Sequence, residues 1–404
     1  MNVGLFTDSY YPEVNGVATS VLTLKKELEQ LGHRVYVFTT TSPGAPLHEH
    51  NVFRVPSLPC ILITERRVGL FYQMKLASLI KKLNLDIIHT NTEFSLGIFG
   101  RIMAKELGVP MVHTYHTIYE DYTHYVTSIK TIDKRAKSFA RIFSRVCCNT
   151  VEQVIVPTTK VKDLLLRYNV NRKITVVPTG VDLEKFNPTV FSQEDVNEIK
   201  FEHGISLEDK VILYIGRISK EKNIAYMIGN LSQYFKSREQ IKFVLIGSGP
   251  ELLNLKALVK ELEIEDKILF LGSKPWDQIG LYYQMGDVFV SASNSETQGL
   301  TYIEAMASGL CVVAKEDDCL QDILIEGYNG YSFRNKEELI EKLDKVLFNS
   351  QDYPYGKNAR ILMDKYSTKE FGKNISSVYQ EVMDKNQVEI KQVVREQKKI
   401  FKIF

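Results

Sequence analysis

Short runs of β-branched and aromatic residues alternate with longer amphipathic stretches through the first half of the chain. The runs have the length and composition of strands, whereas residues 17–31, for example, place Val17 and Val21 at helical spacing. Such alternation is typical of a parallel sheet with crossover helices. The predicted strands are residues 2–7, 34–39, 86–90, 110–115, 153–156 and 174–177.

A second series of the same kind follows a polar interruption. Residues 182–205 lack a clear period and contain the chain-breaking pair Asn187-Pro188, so we place a domain boundary there. The strands predicted after it are 211–216, 242–247, 267–271, 287–291 and 311–314. We therefore predict an α/β fold of two doubly wound parallel-sheet domains, 1–190 and 191–366, facing a central cleft. Residues 367–404 are predicted to be helical and to pack back on the first domain.

Composition narrows the class of protein. A net charge of +2 gives no support to nucleic-acid binding, and the five cysteines include no C-x-x-C pair. The N-terminus has the pattern of a first strand, and no apolar run reaches the roughly 18 residues that a membrane-spanning helix needs. We expect a cytoplasmic protein that is soluble or bound to a membrane surface.

Two loops that follow predicted strands have the chemistry of an anion site. Gly16 opens the helix after the first strand, where backbone amides and the helix dipole favour a phosphate. Arg217 and Lys222 follow strand 211–216 and supply cations for a diphosphate. A plain turn glycine and a solvated charged loop are the alternatives. Gly247, in Gly247-Ser248-Gly249-Pro250, fits either close approach to a ligand or an ordinary tight turn.

The most informative stretch is residues 293–309. Glu296 lies in a polar loop after strand 287–291, and Glu304 lies about one turn inside the helix that Gly299 opens. Two carboxylates at this junction suit the hydroxyl groups of a sugar, which donate hydrogen bonds to them. The alternative is a solvated Glu296 and a Glu304 that serves the helix dipole. However, the small residues around Glu304 indicate a buried helix, where a carboxylate needs a partner.

Four motifs in register resemble the retaining glycosyltransferases of the GT-B fold, family 4. They are the Pro12-x-x-Asn15-Gly16 loop, residues 216–223, Gly247-x-Gly249-Pro250 and the Glu296 to Glu304 pair of carboxylates. The resemblance covers nearly the whole chain. It implies two Rossmann-like domains, a nucleotide-sugar donor and transfer with retention of anomeric configuration.

The resemblance also assigns roles. It implies that Gly16, Arg217 and Lys222 hold the donor diphosphate. Further donor-binding positions are Gly247, Glu296 for the sugar hydroxyls, the backbone of Gln298, Gly299 and Leu300, and Glu304 for the ribose. His116 matches a histidine beside the donor sugar; without the family, a core histidine is the better interpretation. His116, Glu296, Arg217 and Lys222 are the predicted catalytic set, acting by front-face transfer.

No D-x-D element follows a strand, so we predict no essential protein-bound metal and no permanently bound cofactor.

Residues 128–148 combine an apolar stripe (Ile129, Ile132, Ala136, Phe139, Phe143 and Val146) with six cations against one acid. Such a helix either lies on an anionic membrane or packs on its own domain. Residues 60–72 and 391–404 are also basic and apolar, which favours the membrane.

The run from His113 through His124, followed by this basic segment, resembles bacterial glycolipid synthases that glucosylate diacylglycerol. That resemblance implies UDP-glucose as donor, a lipid acceptor and a peripheral position on the inner face of the cell membrane. Two alternatives stay open. One is a family 4 enzyme with another acceptor: a glucosyl lipid, a phosphatidylinositol or a polyprenyl-linked glycan. The other is a sugar-nucleotide-binding protein without catalysis.

Overall fold

The computed structural model describes residues 1–13, 15–59, 67–69, 72–121, 130–349 and 355–400. The chain divides into two compact units. The first contains Met1–Gly180 and the chain from Thr368 onward, and the second is Val181–Ser367.

The first unit is built on a seven-stranded parallel sheet with the strand order β3-β2-β1-β6-β7-β8-β9. Apolar side chains cover both faces, as expected for a parallel sheet with helices on each side. β4 and β5 form a separate two-stranded antiparallel sheet. The elements are β1 (Asn2–Phe6), α1 (Gly16–Gln30), β2 (Arg34–Thr40), β3 (Val52–Val55), β4 (Ser57–Pro59), β5 (Arg67–Gly69), α2 (Met74–Ile80), β6 (Ile87–Thr90), α3 (Ser95–Leu107), β7 (Met111–Thr114), α4 (Lys130–Asn149), β8 (Gln153–Val156), α5 (Thr159–Arg167) and β9 (Lys173–Val176).

The second unit repeats this plan with six parallel strands in the order β12-β11-β10-β13-β14-β15. Each sheet face has its own apolar cluster. The elements are α6 (Gln193–Glu202), β10 (Lys210–Ile215), α7 (Ile224–Lys236), β11 (Ile241–Ile246), α8 (Leu252–Glu261), β12 (Ile268–Gly272), α9 (Ile279–Gln284), β13 (Val288–Ser291), α10 (Leu300–Ala307), β14 (Cys311–Lys315), β15 (Gly330–Phe333), α11 (Lys336–Phe348) and α12 (Tyr355–Ile361).

The last helix, α13 (Thr368–Ile400), packs in the first unit. Its Ile375 and Tyr379 are buried with residues of α1. The two helices approach closely because residue 372 is a glycine. A Cβ at Gly372 would lie only 2.5 Å from the Cβ of Glu27 in α1. The Tyr379 hydroxyl also hydrogen bonds to Nδ1 of the buried His89, at 2.7 Å. The helix is therefore fixed both to its neighbour and to the sheet.

The predicted domain boundary at 190/191 is too late, because the structure divides after Gly180. Val181 pairs with Ser367, and Phe186 is completely buried in the core of the second unit. The polar residues around Asn187 hid this short apolar segment, which belongs to the second unit. The predicted parallel sheets themselves are confirmed.

Candidate functional site

The order of strands marks one place in each sheet as a candidate ligand site. In the second unit, β10 pairs with β11 on one side and with β13 on the other, so the connections leave in opposite directions. Ligands of doubly wound folds bind at the carboxyl ends of strands beside such a switch point. The loops that leave β10 and β13 here carry the predicted residues Arg217, Lys222 and Glu296.

Lys222 and Glu296 meet at this switch point. The distance from Lys222 Nζ to Glu296 Oε1 is 2.6 Å, and both side chains are mostly buried. The two loops are also joined through their backbones, because the Asn294 amide donates to the Glu221 carbonyl at 2.9 Å. The loops therefore hold a cation and a carboxylate in fixed positions at the sheet edge. Glu296 is not the solvated side chain of the alternative interpretation.

Glu304 lies on α10 and is 6% exposed. Its Oε2 accepts a hydrogen bond of 2.7 Å from Tyr283, which sequence reasoning did not select. Burial raises the pKa of Glu304 from its ordinary value of 4.5 to about 7, while the Tyr283 hydrogen bond and the nearby charge of Lys185 lower it. Glu304 is thus a buried carboxyl group that ionises near neutral pH.

This pKa predicts a pH-dependent stability. The folded chain holds a proton on Glu304 that the unfolded chain loses between pH 4.5 and about 7, so the wild type loses stability as pH rises through that window. Glu304→Gln has no such proton. Relative to wild type, the variant should gain about 3 kcal/mol between pH 4.5 and pH 8, as measured by urea unfolding at both pH values. A constant difference between the two proteins would contradict this assignment.

Gly299 begins α10 with a left-handed backbone, φ 73°, and a Cβ there would lie 2.4 Å from the Tyr302 ring. Only glycine fits this turn. Gln298 and Gly299 are buried and Leu300 is half-buried, so the predicted backbone contacts lie directly at the start of the helix that carries Glu304. Tyr302 in turn donates to the Ser291 hydroxyl at the end of β13.

The packing of two loops explains why residue 247 is a glycine. A Cβ at Gly247 would lie 1.9 Å from the Gly216 carbonyl oxygen, and one at Gly249 would lie 2.2 Å from that of Ile218. These glycines let the loop after β11 pack against the loop after β10. Arg217, in that second loop, is exposed. The close approach at Gly247 is therefore to protein backbone, which is sufficient to require the glycine.

In the first unit, α1 begins at Gly16, and the Asn15 side chain caps the helix by accepting from the amides of Val17 and Ala18, at 3.1 and 3.0 Å. Two of the amides expected to face a phosphate are therefore already engaged by the cap. Gly16 itself is exposed. Asn15 is held in turn by Ser9 Oγ, at 2.8 Å from its Nδ2.

His116 follows β7 and is half-buried. Its Nε2 lies 3.1 Å from Oδ1 of Asn91, which directly follows β6. His116 is thus not a fully buried core histidine; that description fits His113, which bonds to Glu93 at 3.1 Å. Burial lowers the pKa of His113 despite this carboxylate. The sequence did not identify Asn91, because its partner His116 follows a different strand, β7.

The first unit's switch point lies between β1 and β6. Asp8, after β1, is buried and accepts from Thr92 at 2.7 Å and from the Leu96 amide at 3.0 Å, as well as from Ser95. Burial raises its pKa even against these hydrogen bonds. Asp8 thus fastens the loop after β1 to the loop after β6, which contains Asn91.

Helix α4 has two faces of different chemistry. The inward face consists of small buried side chains: Ala140, Ser144, Cys147 and Cys148. The outward face carries Phe139, Ile142 and Val146, of which Phe139 is 70% exposed. Of the apolar stripe predicted from spacing, Phe139 and Val146 therefore face outward, whereas Phe143 is half-buried against its own unit. Phe143 stacks on both Phe94 and Phe139, with ring centroids 5.7 and 6.2 Å apart.

Cations flank this outward face. Lys134 and Arg135 are exposed. Lys137 forms an ion pair with Asp133 at 3.0 Å, and Arg141 pairs with Glu120. Lys137 and Arg141 are thus partly neutralised by their acidic partners. Lys134 and Arg135 lie just before Phe139 along the helix.

Some predicted features lie outside the described residues. They are the loop of 60–66 and 70–71, the run 122–129 with His124 and the start of the basic segment, and residues 401–404. For Ile132 and for residues 391–400, the helix is described but the side chains are not.

Within the described ranges, no helix is both long and apolar enough to cross a bilayer. Nor do those ranges hold a group of three or more His, Cys, Asp or Glu side chains placed for a metal ion.

Comparison with known proteins matches both halves of the chain. A family model described as Glycosyltransferase Family 4 matches residues 14–185, and one described as Glycosyl transferases group 1 matches residues 195–362. The alpha-monoglucosyldiacylglycerol synthase of Streptococcus pneumoniae is 38% identical over 390 residues, 96% of this chain and 87% of that protein. The enzyme of the same name from Acholeplasma laidlawii is 35% identical over 393 residues, 96% and 98% of the two chains.

Solved structures are similar in fold. HepE of Anabaena, solved in complex with UDP, has 18% identity and a TM-score of 0.75, covering 94% of this chain and 100% of that one. Sucrose-phosphate synthase from Thermosynechococcus elongatus has 21% identity and a TM-score of 0.75, covering 95% and 99%. Together with the two parallel sheets, this likeness confirms the predicted GT-B fold class.

Proposed function

Because this chain belongs to glycosyltransferase family 4, we propose that it transfers a hexose, glucose from UDP-glucose, to the hydroxyl group of diacylglycerol with retention of anomeric configuration. The observation that carries the proposal is the pair Lys222 and Glu296, held 2.6 Å apart at the switch point of the second sheet. A cation and a carboxylate side by side suit a ligand whose diphosphate is joined to a sugar. Relatives named as monoglucosyldiacylglycerol synthases support the acceptor.

We assign the donor contacts as follows. Lys222 and Arg217 bind the diphosphate, and Glu296 accepts hydrogen bonds from sugar hydroxyls. Glu304 accepts from the ribose hydroxyls once it is ionised. The amides at the start of α10, at Gln298, Gly299 and Leu300, support the sugar and phosphate, and Gly247 shapes the loop beside them.

For the first unit we propose that Gly16 contacts the diphosphate and that His116 lies beside the transferred hexose. The capping of Val17 and Ala18 by Asn15 leaves a smaller role for the α1 amides than the sequence indicated. The half-buried position of His116 at a strand end supports its role. Its hydrogen bond to Asn91 fixes the ring.

Retention follows if the acceptor hydroxyl attacks the face from which the diphosphate leaves. In this front-face mechanism the departing diphosphate helps to take the proton of the acceptor. Lys222 and Arg217 then stabilise the negative charge that grows on the leaving group, and such stabilisation is often the largest contribution to catalysis. Glu296 orients the hexose during the reaction.

The outward face of α4 supports a membrane-bound acceptor. Phe139, Ile142 and Val146 would enter the boundary of lipid headgroups and acyl chains, and Lys134 and Arg135 would attract anionic lipids. We therefore propose a peripheral position on the cytoplasmic face of the cell membrane, where diacylglycerol is available. The aromatic cluster of Phe94, Tyr119, Phe139 and Phe143 offers an apolar surface to its acyl chains.

Neutralising the exposed cations tests this membrane surface. Lys134→Gln with Arg135→Gln should weaken binding to vesicles of phosphatidylglycerol and phosphatidylcholine about 10- to 30-fold, because each cation near the surface contributes about 1 kcal/mol. Vesicle cosedimentation at two salt concentrations measures the change.

The matched control is Lys137→Gln, which removes a cation already paired with Asp133. It should weaken vesicle binding less than either exposed cation does. Slow hydrolysis of UDP-glucose in the absence of lipid should be the same in all variants. Equal loss of hydrolysis and vesicle binding would contradict a role confined to the membrane.

An acceptor panel tests the function itself. Purified protein is incubated with labelled UDP-glucose or UDP-galactose and vesicles that contain diacylglycerol, glucosyl-diacylglycerol, phosphatidylinositol or a polyprenyl phosphate. The proposal predicts an α-glucosyl lipid from UDP-glucose and diacylglycerol. Transfer to another lipid would favour the alternative acceptors, and UDP binding without turnover on any of them would favour a non-catalytic protein.

A further inference from the structure

Asn91 lies where the first sheet changes direction. It directly follows β6, and its amide donates to the carbonyl of Phe6, the last residue of β1, at 2.8 Å. Its side chain is only 3% exposed. The backbone and the burial together fix the direction of this side chain at the carboxyl edge of the sheet, beside His116.

The Asn91 side chain orients His116. Its Oδ1 can only accept a hydrogen bond, so the His116 Nε2 that lies 3.1 Å away carries a proton. Asn91 thereby sets which ring nitrogen is protonated and holds the plane of the ring.

The other end of the same amide, Nδ2, is buried and donates to no acceptor among the described residues. Exchanging the two amide atoms would leave the oxygen unpaired instead, so one polar atom lacks a partner in either orientation. Buried amide donors are nearly always hydrogen bonded in folded proteins, because an unpaired one costs folding free energy. An acceptor supplied by a ligand would remove that cost.

We propose that Asn91 Nδ2 donates a hydrogen bond to a hydroxyl oxygen of the transferred hexose while Asn91 Oδ1 positions His116. This inference rests on the proposed function, in which His116 lies beside the hexose. A hexose offers several hydroxyl oxygens, each of which accepts a hydrogen bond. Asn91 is therefore a contact to the sugar as well as a positioning residue.

Asn91→Asp tests the contact, because it keeps an acceptor for His116 and removes the donor. The kcat/KM for UDP-glucose hydrolysis without lipid should fall about 10- to 100-fold, while the Kd of UDP, which has no hexose, should stay at the wild-type value. Asn91→Ser, which is uncharged, should lose a similar factor; it also serves if the aspartate variant does not fold.

Gln153→Glu is the matched control. Gln153 is 1% exposed, lies in the same sheet and bonds to Thr175 at 2.8 Å, but it is the first residue of β8, at the amino ends of the strands. It should retain wild-type kinetics. Deoxy analogues of UDP-glucose then locate the hydroxyl group: one of them should be a poor substrate for wild type and no poorer for Asn91→Asp.

The possible outcomes separate the two proposals. A wild-type protein that does not turn over UDP-glucose would contradict the proposed function. Wild-type turnover with an unchanged Asn91→Asp variant, an equal loss in Gln153→Glu, or a weakened Kd for UDP would overturn the contact alone. So would deoxy donors that all lower the rates of both proteins by the same factor.

Discussion

Lys222→Ala should lower the rate of hexosyl transfer about 100- to 1,000-fold, the loss that follows removal of one fixed stabilising group from a developing negative charge. Lys222 is rigidly placed, since it contacts Glu296 and lies in a loop joined to the loop after β13. Without it, the departing diphosphate loses a preorganised cation. The measurement is kcat with saturating UDP-glucose and diacylglycerol vesicles.

Lys220→Ala is the control for this variant. Lys220 begins the same short 3-10 turn, Lys220–Lys222, but is exposed. It should keep kcat within about twofold of wild type, since an exposed charge in water contributes little. Lys222→Arg should recover part of the rate. A similar loss in both alanine variants would show that general charge, not the position of Lys222, governs the reaction.

The second large effect is expected at Glu304. Glu304→Ala should weaken UDP binding about 100-fold at pH 8, because the ribose loses hydrogen bonds to an ionised carboxylate, each contributing about 1.5–3 kcal/mol. In the wild type, UDP affinity should rise between pH 6 and pH 8, as the group with a pKa of about 7 ionises. Isothermal titration calorimetry measures both changes.

Glu304→Gln separates this loss from a folding defect. The amide fits the same buried space, and we expect its stability relative to wild type to rise by about 3 kcal/mol between pH 4.5 and pH 8. Weaker UDP binding in a variant that stays folded would show that the carboxylate acts on the ligand. Unchanged UDP affinity in Glu304→Gln would contradict the assigned contact with the ribose.

Much of the fold follows from sequence pattern. Every strand predicted from a β-branched or aromatic run is present, within one or two residues. The outer strands β3 (Val52–Val55) and β15 (Gly330–Phe333) were missed. In β3 only Val55 is buried, so the apolar signal of this edge strand is weak. In β15 the leading Gly330 weakens the signal.

Sequence alone suggested candidate site residues where they lie in one continuous segment. Glu296 and Glu304 follow from residues 293–309, whereas their partners come from elsewhere in the chain. Tyr283 is 21 positions from Glu304, and Asn91 is 25 from His116. Only the strand order brings such residues together. Asn91 directly follows the predicted strand 86–90, and that position was the signal that could have identified it.

The most direct measurement is a crystal structure of the protein with UDP. We expect the diphosphate within hydrogen-bond distance of Lys222 Nζ and the ribose hydroxyls within hydrogen-bond distance of the Glu304 carboxylate, at the carboxyl ends of β10 and β13. A nucleotide bound elsewhere in the second unit, with Lys222 and Glu304 both beyond reach, would contradict this expectation.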